Sequence, residues 1–148
     1  MNWLGKAALG VGGVAVLIQL VSFEHTNPPV TGELVAPTEV KALLKRACFD
    51  CHSHETTWPW YTNVAPVSWL VHRDVVEGRK HLNFSTWAQV APDRQAKKLA
   101  EVADEVSEDG MPPWFYLPAH PDAKLTAAEK QAIIQWAKAG SGGAEAKD

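Results

Sequence analysis

The sequence predicts an all-α fold, and three observations carry that reading. Apolar residues recur at helical spacing in several separate stretches. Thr126 and Glu129 form the capping-box pattern that opens a helix. No stretch alternates apolar and polar residues convincingly enough to read as a half-buried strand. The 148 residues suit one domain plus extras. The net charge of −3 gives no sign of a nucleic-acid partner.

The first element is an apolar run. Residues 7–23 carry no charge, and with Trp3, Leu4 and Gly5 ahead of Lys6 the stretch approaches the ~20 residues a membrane helix needs. The α-amine and Lys6 are the positive charges at this end, and Glu24 follows the run. The positive-inside rule then keeps the N-terminus in the cytoplasm and exports the rest. The run ends in Leu20-Val21-Ser22-Phe23, without an A-x-A-like cleavage site, and no Cys follows it for lipoprotein processing. An uncleaved anchor over residues 1–23 is therefore expected, ahead of a cleaved signal or a buried core helix. Residues 24–36 contain a Pro pair and read as a linker or a strap along the domain, with His25 as a solvated loop residue.

The main domain is expected over residues 37–140. Pro37 and Thr38 start a helix to about residue 48, with Val40, Leu43, Leu44 and Ala47 on one face. Residues 53–66 read as an irregular loop, and Trp58-Pro59-Trp60-Tyr61 is too aromatic for ordinary solvated chain. A second helix runs from Pro66 or Val67 to about Lys80, through Leu70, Val71, Val75 and Val76. Ser85-Thr86 caps a short helix through Val90. A third main helix runs from Pro92 to about Glu108 on a stripe of Ala96, Leu99, Ala100, Ala103 and Val106, and Gly110 stops it. The last helix opens at Thr126, buries Ile133, Ile134, Trp136 and Ala137, and stops at Gly140. Residues 141–148 are small and polar and are expected to be disordered.

The first domain helix delivers Cys48-Phe49-Asp50-Cys51-His52, a C-x-x-C-H and the attachment signature of c-type haem. Two thiols at this spacing can each add across one of the two vinyl groups of a single porphyrin. The following imidazole then lies under the ring, and iron takes imidazole readily as an axial ligand. The reading is one covalent haem c on Cys48 and Cys51 with His52 on the iron. The motif uses both Cys of the chain, so no structural disulfide is expected. The competing readings are a redox disulfide, though no βαβ pattern surrounds it, and half a zinc site completed by His52 and His54, though no second ligand pair exists. Seven Trp is a high count for this length and supplies flat apolar side chains for a porphyrin. Trp58, Trp60 and Tyr61 are expected to pack on haem or to cover the His52 side. A carbonyl of the same loop is expected to accept a hydrogen bond from the second nitrogen of His52.

Met111 is the candidate for the opposite axial position. It is the one Met besides the initiator, and it sits in a loop stiffened by Pro112 and Pro113, just after a helix stop. The rivals are histidines. His54 lies too close to His52 to cross the ring, and His72 and His81 lie on or near the second helix. His120 could bond a haem propionate, but a plain turn residue is the favoured reading. Arg73, Arg79 and Lys80 could pair with propionates, against the simpler reading of a solvated face.

Several stretches carry a family resemblance. They are Cys48-Phe49-Asp50-Cys51-His52-Ser53, Thr57-Trp58-Pro59-Trp60-Tyr61, Ala65-Pro66-Val67-Ser68-Trp69, Gly78-Arg79 with Leu82-Asn83-Phe84-Ser85, Met111-Pro112, and His120-Pro121 leading to Leu125. Through them residues from about 28 to 137 resemble the bacterial haem-binding-domain family, monohaem c-type cytochrome-like proteins with an N-terminal membrane segment. The arrangement also looks like class I cytochrome c: about four helices, the first ending in the haem motif, with a later Met loop and a C-terminal helix crossing the first. The long segment between His52 and Met111 departs from small class I cytochromes.

The expected function is a membrane-anchored electron carrier with no catalytic residues. It would sit in the bacterial inner membrane by a single pass, with its haem domain in the periplasm and redox proteins at the membrane as partners. The alternative is a haem-based sensor or peroxidase-like enzyme with an open or labile sixth site, for which His72-Arg73 is the nearest hint.

Overall fold

The computed structural model describes residues 2–142, and among these it is all-α, as expected. Helix α1 (Trp3–Leu17) runs into a 3-10 turn at Ile18–Leu20, and the Asn2 side chain caps it by accepting from the Gly5 N–H at 3.0 Å. None of the 18-residue apolar helix Trp3–Leu20 is buried, so the core-helix reading of this segment fails.

The domain is built from α2 (Thr38–Ala47), a one-turn α3 (Phe49–His52), α4 (Val67–His81), α5 (Pro92–Ser107) and α6 (Ala127–Ser141). Helices α5 and α6 form the most extensive pair. Leu44 of α2, Phe84 of the α4–α5 connection, and Ile133 and Ala137 of α6 are fully buried at their junction. Leu99, Ala103 and Val106 of α5 complete this core, and each lies on the stripe predicted for its helix. The capping box at the start of α6 is formed in both directions: the Glu129 N–H donates to Thr126 Oγ1, and the Thr126 N–H donates to the Glu129 carboxylate.

Three boundaries differ from expectation. The predicted short helix after Thr86 is a 3-10 turn, Trp87–Gln89. Helix α5 is closed by Asp109, which has φ 61°, while the Gly110 N–H reaches back to the Glu105 carbonyl at 2.9 Å. Asp109 thus takes the left-handed position that Gly usually fills. Helix α6 does not stop at Gly140 but continues to Ser141. Gly140 is instead the point where α6 crosses α5, because a Cβ there would lie 2.5 Å from the Leu99 side chain. Of the expected disordered tail, Ser141 is helical and Gly142 caps α6; residues 143–148 lie outside the described residues.

Residues 24–36 form a strap rather than a free tether. The N–H groups of Thr31 and Gly32 donate to the Ser85 carbonyl, Leu34 donates to Phe84, and Ala88 donates back to Gly32. Leu34 itself enters the core. His25, expected to be solvated, stacks on Trp58 with ring centroids 4.4 Å apart and donates from Nε2 to the Thr62 carbonyl at 3.1 Å. The strap therefore closes over the loop that follows the C-x-x-C-H motif.

Candidate functional site

The motif lies at a helix junction. Cys48 caps α2 and leads directly into α3, which carries Cys51 and His52. Both thiols are free and half-buried. Burial pushes the Cys48 thiol up to about 12, with the neighbouring Cys51 adding to it. Burial likewise pushes Cys51 up to about 11, helped by Asp50 and Asp74. Both are therefore thiols, not thiolates, at neutral pH.

His52 is oriented by backbone. Its Nδ1 lies 3.0 Å from the Gly78 carbonyl and 3.2 Å from the Leu82 carbonyl. A carbonyl can only accept, so the proton sits on Nδ1 and Nε2 keeps its lone pair. Burial lowers the imidazole pKa, against the two carbonyls, so the ring is neutral at pH 7. A neutral imidazole with one nitrogen tied back and the other carrying a lone pair is the form that binds a metal. The expected acceptor in the 53–66 loop is not found: the carbonyls come from the C-terminal end of α4. The Gly78 carbonyl also accepts from the Leu82 N–H at 2.9 Å, so it serves the helix cap and His52 together, while the Leu82 carbonyl lies just past the last residue of α4.

Gly78 makes that approach possible. A Cβ at this position would lie 2.6 Å from the Cys51 carbonyl oxygen and 3.1 Å from its carbonyl carbon. Only a residue without a side chain lets α4 press its backbone against the motif. Arg79, next in the chain, is not on a solvated face. Its Nε donates to the Ser53 carbonyl at 2.7 Å, Nη1 to the Thr26 carbonyl at 3.0 Å, and Nη2 to Asn27 Oδ1 at 2.9 Å and Thr56 Oγ1 at 2.8 Å. One side chain thus ties α4 to the strap and to the chain just after His52. Four of its five donors are committed to protein.

Asp50, inside the motif, is a second tie point. Its carboxylate accepts from the Thr57 N–H at 2.9 Å and from the Tyr116 hydroxyl at 2.6 Å, while its carbonyl accepts from Thr56 Oγ1 at 2.7 Å. Tyr116 stacks on His120 with centroids 3.9 Å apart, and His120 Nε2 shares a hydrogen bond with the Tyr61 hydroxyl. His120 is therefore not a plain turn residue. It joins the aromatic loop after His52 to the loop after Met111.

The remaining aromatic candidates separate. Trp58 packs under His25, and its indole N–H is the one buried side-chain polar atom without a partner among the described residues. Trp60 stands 78% exposed. Met111 is half-buried, and its N–H donates to the Glu105 carbonyl at 3.2 Å. It lines a cavity of about 220 Å³ with Pro112, Trp114, Leu117 and Leu125, rimmed by Asp109, Lys124 and Lys130. Cys48, Cys51 and His52 are not among the walls of that cavity.

The arrangement weighs against zinc. His54 spends both ring nitrogens: Nδ1 donates to the Pro29 carbonyl at 3.0 Å and Nε2 accepts from the Asn83 amide at 2.9 Å. Among the described residues no group of three or more His, Cys, Asp or Glu is gathered around a point where a metal ion could sit. Haem asks less of the protein, because the porphyrin brings four of the iron's ligands. Two adjacent thiols, one imidazole with its lone pair kept open, and an unsatisfied buried indole donor suit a flat, carboxylate-bearing cofactor.

Sequence reasoning gave no positioning role to Gly78, Leu82 or Tyr116, although Gly78 and Leu82 lie in stretches that carry the family resemblance, and it weighed Arg79 as a propionate partner against a solvated face. The available signal was a glycine inside an otherwise regular helical pattern, which marks a close backbone approach. Comparison with curated proteins and with solved structures finds no match. A family model described as a haem-binding domain matches residues 13–139, which is most of the chain and includes every residue of the site. The chain therefore belongs to the haem-binding-domain family.

Proposed function

We propose that this haem-binding protein is a membrane-anchored monohaem c-type cytochrome that carries electrons. Thioether links to Cys48 and Cys51 would hold the haem, with His52 Nε2 and the Met111 thioether as axial ligands. The bound haem would supply one-electron chemistry, cycling between ferrous and ferric iron. The observation that carries the reading is the hydrogen bonding of His52, whose Nδ1–H is committed to the Gly78 and Leu82 carbonyls. That keeps Nε2 unprotonated and holds one ring orientation, so the imidazole need not reorganise between redox states.

In this reading Gly78 and Arg79 hold the motif against α4, and Asp50 anchors the Met111 loop through Tyr116. The apolar N-terminal helix would be an uncleaved single-pass anchor in a bacterial inner membrane, with the domain in the periplasm and membrane redox proteins as partners. A second reading, a haem-based sensor or peroxidase-like enzyme with an open or labile sixth site, is favoured by one observation. The cavity beside Met111 has none of the motif residues in its wall.

The test is the visible spectrum of the haem-loaded protein, oxidised and reduced, for wild type and Met111→Ala. Electron carriage through a His/Met site predicts a far-red sulfur-to-iron band in the wild type that the variant loses, with no carbon monoxide binding by the reduced wild type. An unchanged spectrum in the variant, with immediate carbon monoxide binding by the wild type, would put the sensor or enzyme reading first.

A further inference from the structure

The end of the apolar N-terminal helix is bonded to the haem domain. Gln19 Nε2 donates to the Ala65 carbonyl at 3.2 Å, and the Ala65 N–H donates to Gln19 Oε1 at 2.9 Å. Trp69 Nε1 donates to the Val21 carbonyl at 3.2 Å, and Phe23 stacks on His72 with centroids 4.2 Å apart. The first two turns of α4 and the segment before it therefore lie where the candidate membrane span ends.

That same region exposes apolar side chains. Trp60 is 78% exposed, Val64 42%, Val67 41% and Leu70 57%. They flank Ala65 and Trp69, the residues bonded to the span, and Val67 and Leu70 lie one turn apart on one face of α4. No Asp, Glu, Lys or Arg occurs between Glu55 and Arg73. Arg73, the next charge, follows Leu70 by one more turn on the same exposed face. An apolar patch with Trp at its margin and an Arg beyond it matches the layering of a bilayer interface, where acyl chains give way to phosphate. Large apolar side chains exposed together along one short stretch of a small domain mark a contact surface. Its continuity with the apolar span selects the lipid bilayer as occupant over a protein partner.

We infer that the haem domain lies on the bilayer surface, with Trp60, Val64, Val67 and Leu70 entering the headgroup–acyl boundary and Arg73 meeting lipid phosphate. This rests on the proposed retention of the anchor. The membrane then sets the domain's orientation as well as its location, since a span alone would leave the domain free to turn.

The test uses the full chain, haem-loaded, in vesicles of phosphatidylethanolamine and phosphatidylglycerol. A photoreactive diazirine amino acid replaces Trp60, Leu70 or, as a control on the charged outer face of α5, Glu101. Intact-protein mass spectrometry after illumination reads the lipid adduct and the length of the chain together. The expected result is a lipid adduct at positions 60 and 70 and its loss at 101. A full-length chain without adducts at 60 and 70, or with adducts to a protein, overturns the surface contact and leaves the anchor standing. A chain lacking residues 1–23 overturns both.

Discussion

The two sides of the candidate haem site are held in different ways. On the His52 side, backbone does the holding. Two carbonyls at the end of α4 orient the imidazole, Gly78 lets that helix touch Cys51, and the four bonds of Arg79 tie α4 to the strap and to the chain after His52, two to each. On the Met111 side, side chains in a Pro-rich loop do it. Tyr116 reaches Asp50, His120 meets Tyr61, and Trp114 and Phe115 stay largely exposed. One proposed ligand position is built into the packing of helices; the other depends on a loop whose links to the motif are few. The His52 side should therefore resist change in the haem environment, while the Met111 side tunes it.

The comparison can be broken most severely at Gly78. Gly78→Ala drives a methyl into the Cys51 backbone, which cannot swing aside as a side chain would. The expected cost is about 3 kcal/mol, the upper part of the range for overpacking. Covalent haem, read as colour on a denaturing gel, should fall sharply, and the melting temperature should drop. A variant that melts and loads like wild type would show that α4 is not pressed against the motif.

Arg79→Met keeps much of the aliphatic stem but deserts the acceptors on Ser53, Thr26, Asn27 and Thr56. The expected loss is about 2 kcal/mol, in line with polar groups left without partners. Hydrogen exchange should speed up in residues 24–36 before it does in α5 or α6. Uniform acceleration over the whole chain would mean that Arg79 does not hold the strap in particular.

The smallest effect sharpens the comparison from outside the site. The Thr126 N–H and the Arg46 guanidinium hold the Glu129 carboxyl at about 2, below its ordinary 4.5. Between these values the unfolded chain binds the proton and the folded chain does not, so stability falls as pH drops from 4.5 towards 2. Glu129→Gln should flatten that part of the profile in acid-unfolding curves followed by circular dichroism. It should leave the His52 side untouched, so the visible spectrum of the loaded protein at neutral pH should not move.

The helices were legible because burial of one face leaves a 3.6-residue rhythm. Leu44, Leu99, Ala103 and Ile133 all sit where that rhythm puts them. Haem binding was legible because C-x-x-C-H sets two thiols and an imidazole at fixed intervals, and the family match bears out that coarser part of the reading. The partners of His52 were not, because any residue can offer a carbonyl and Leu82 carries no mark of that role. Arg79 was misread for a related reason. A basic residue among Lys80, His81 and Arg73 looks like a wet helix face, and its four acceptors, two of them backbone carbonyls, lie far away in sequence. The strap lacked any rhythm, since it is extended and enters the core with few side chains beyond Leu34.

The strap also moves the boundary of the unit that folds. Composition alone would place the start of the domain at Pro37, after the last residue of the apparent linker. A fragment cut there would abandon Leu34, the acceptors that Thr26 and Asn27 offer Arg79, and the ladder to Phe84 and Ser85. It would expose an unpaired edge along residues 84–88 and leave Arg79 with two of its four acceptors. A fragment that keeps the bonds of the strap begins ahead of His25, so the stretch that looks like spacer between the apolar helix and the domain belongs to the domain.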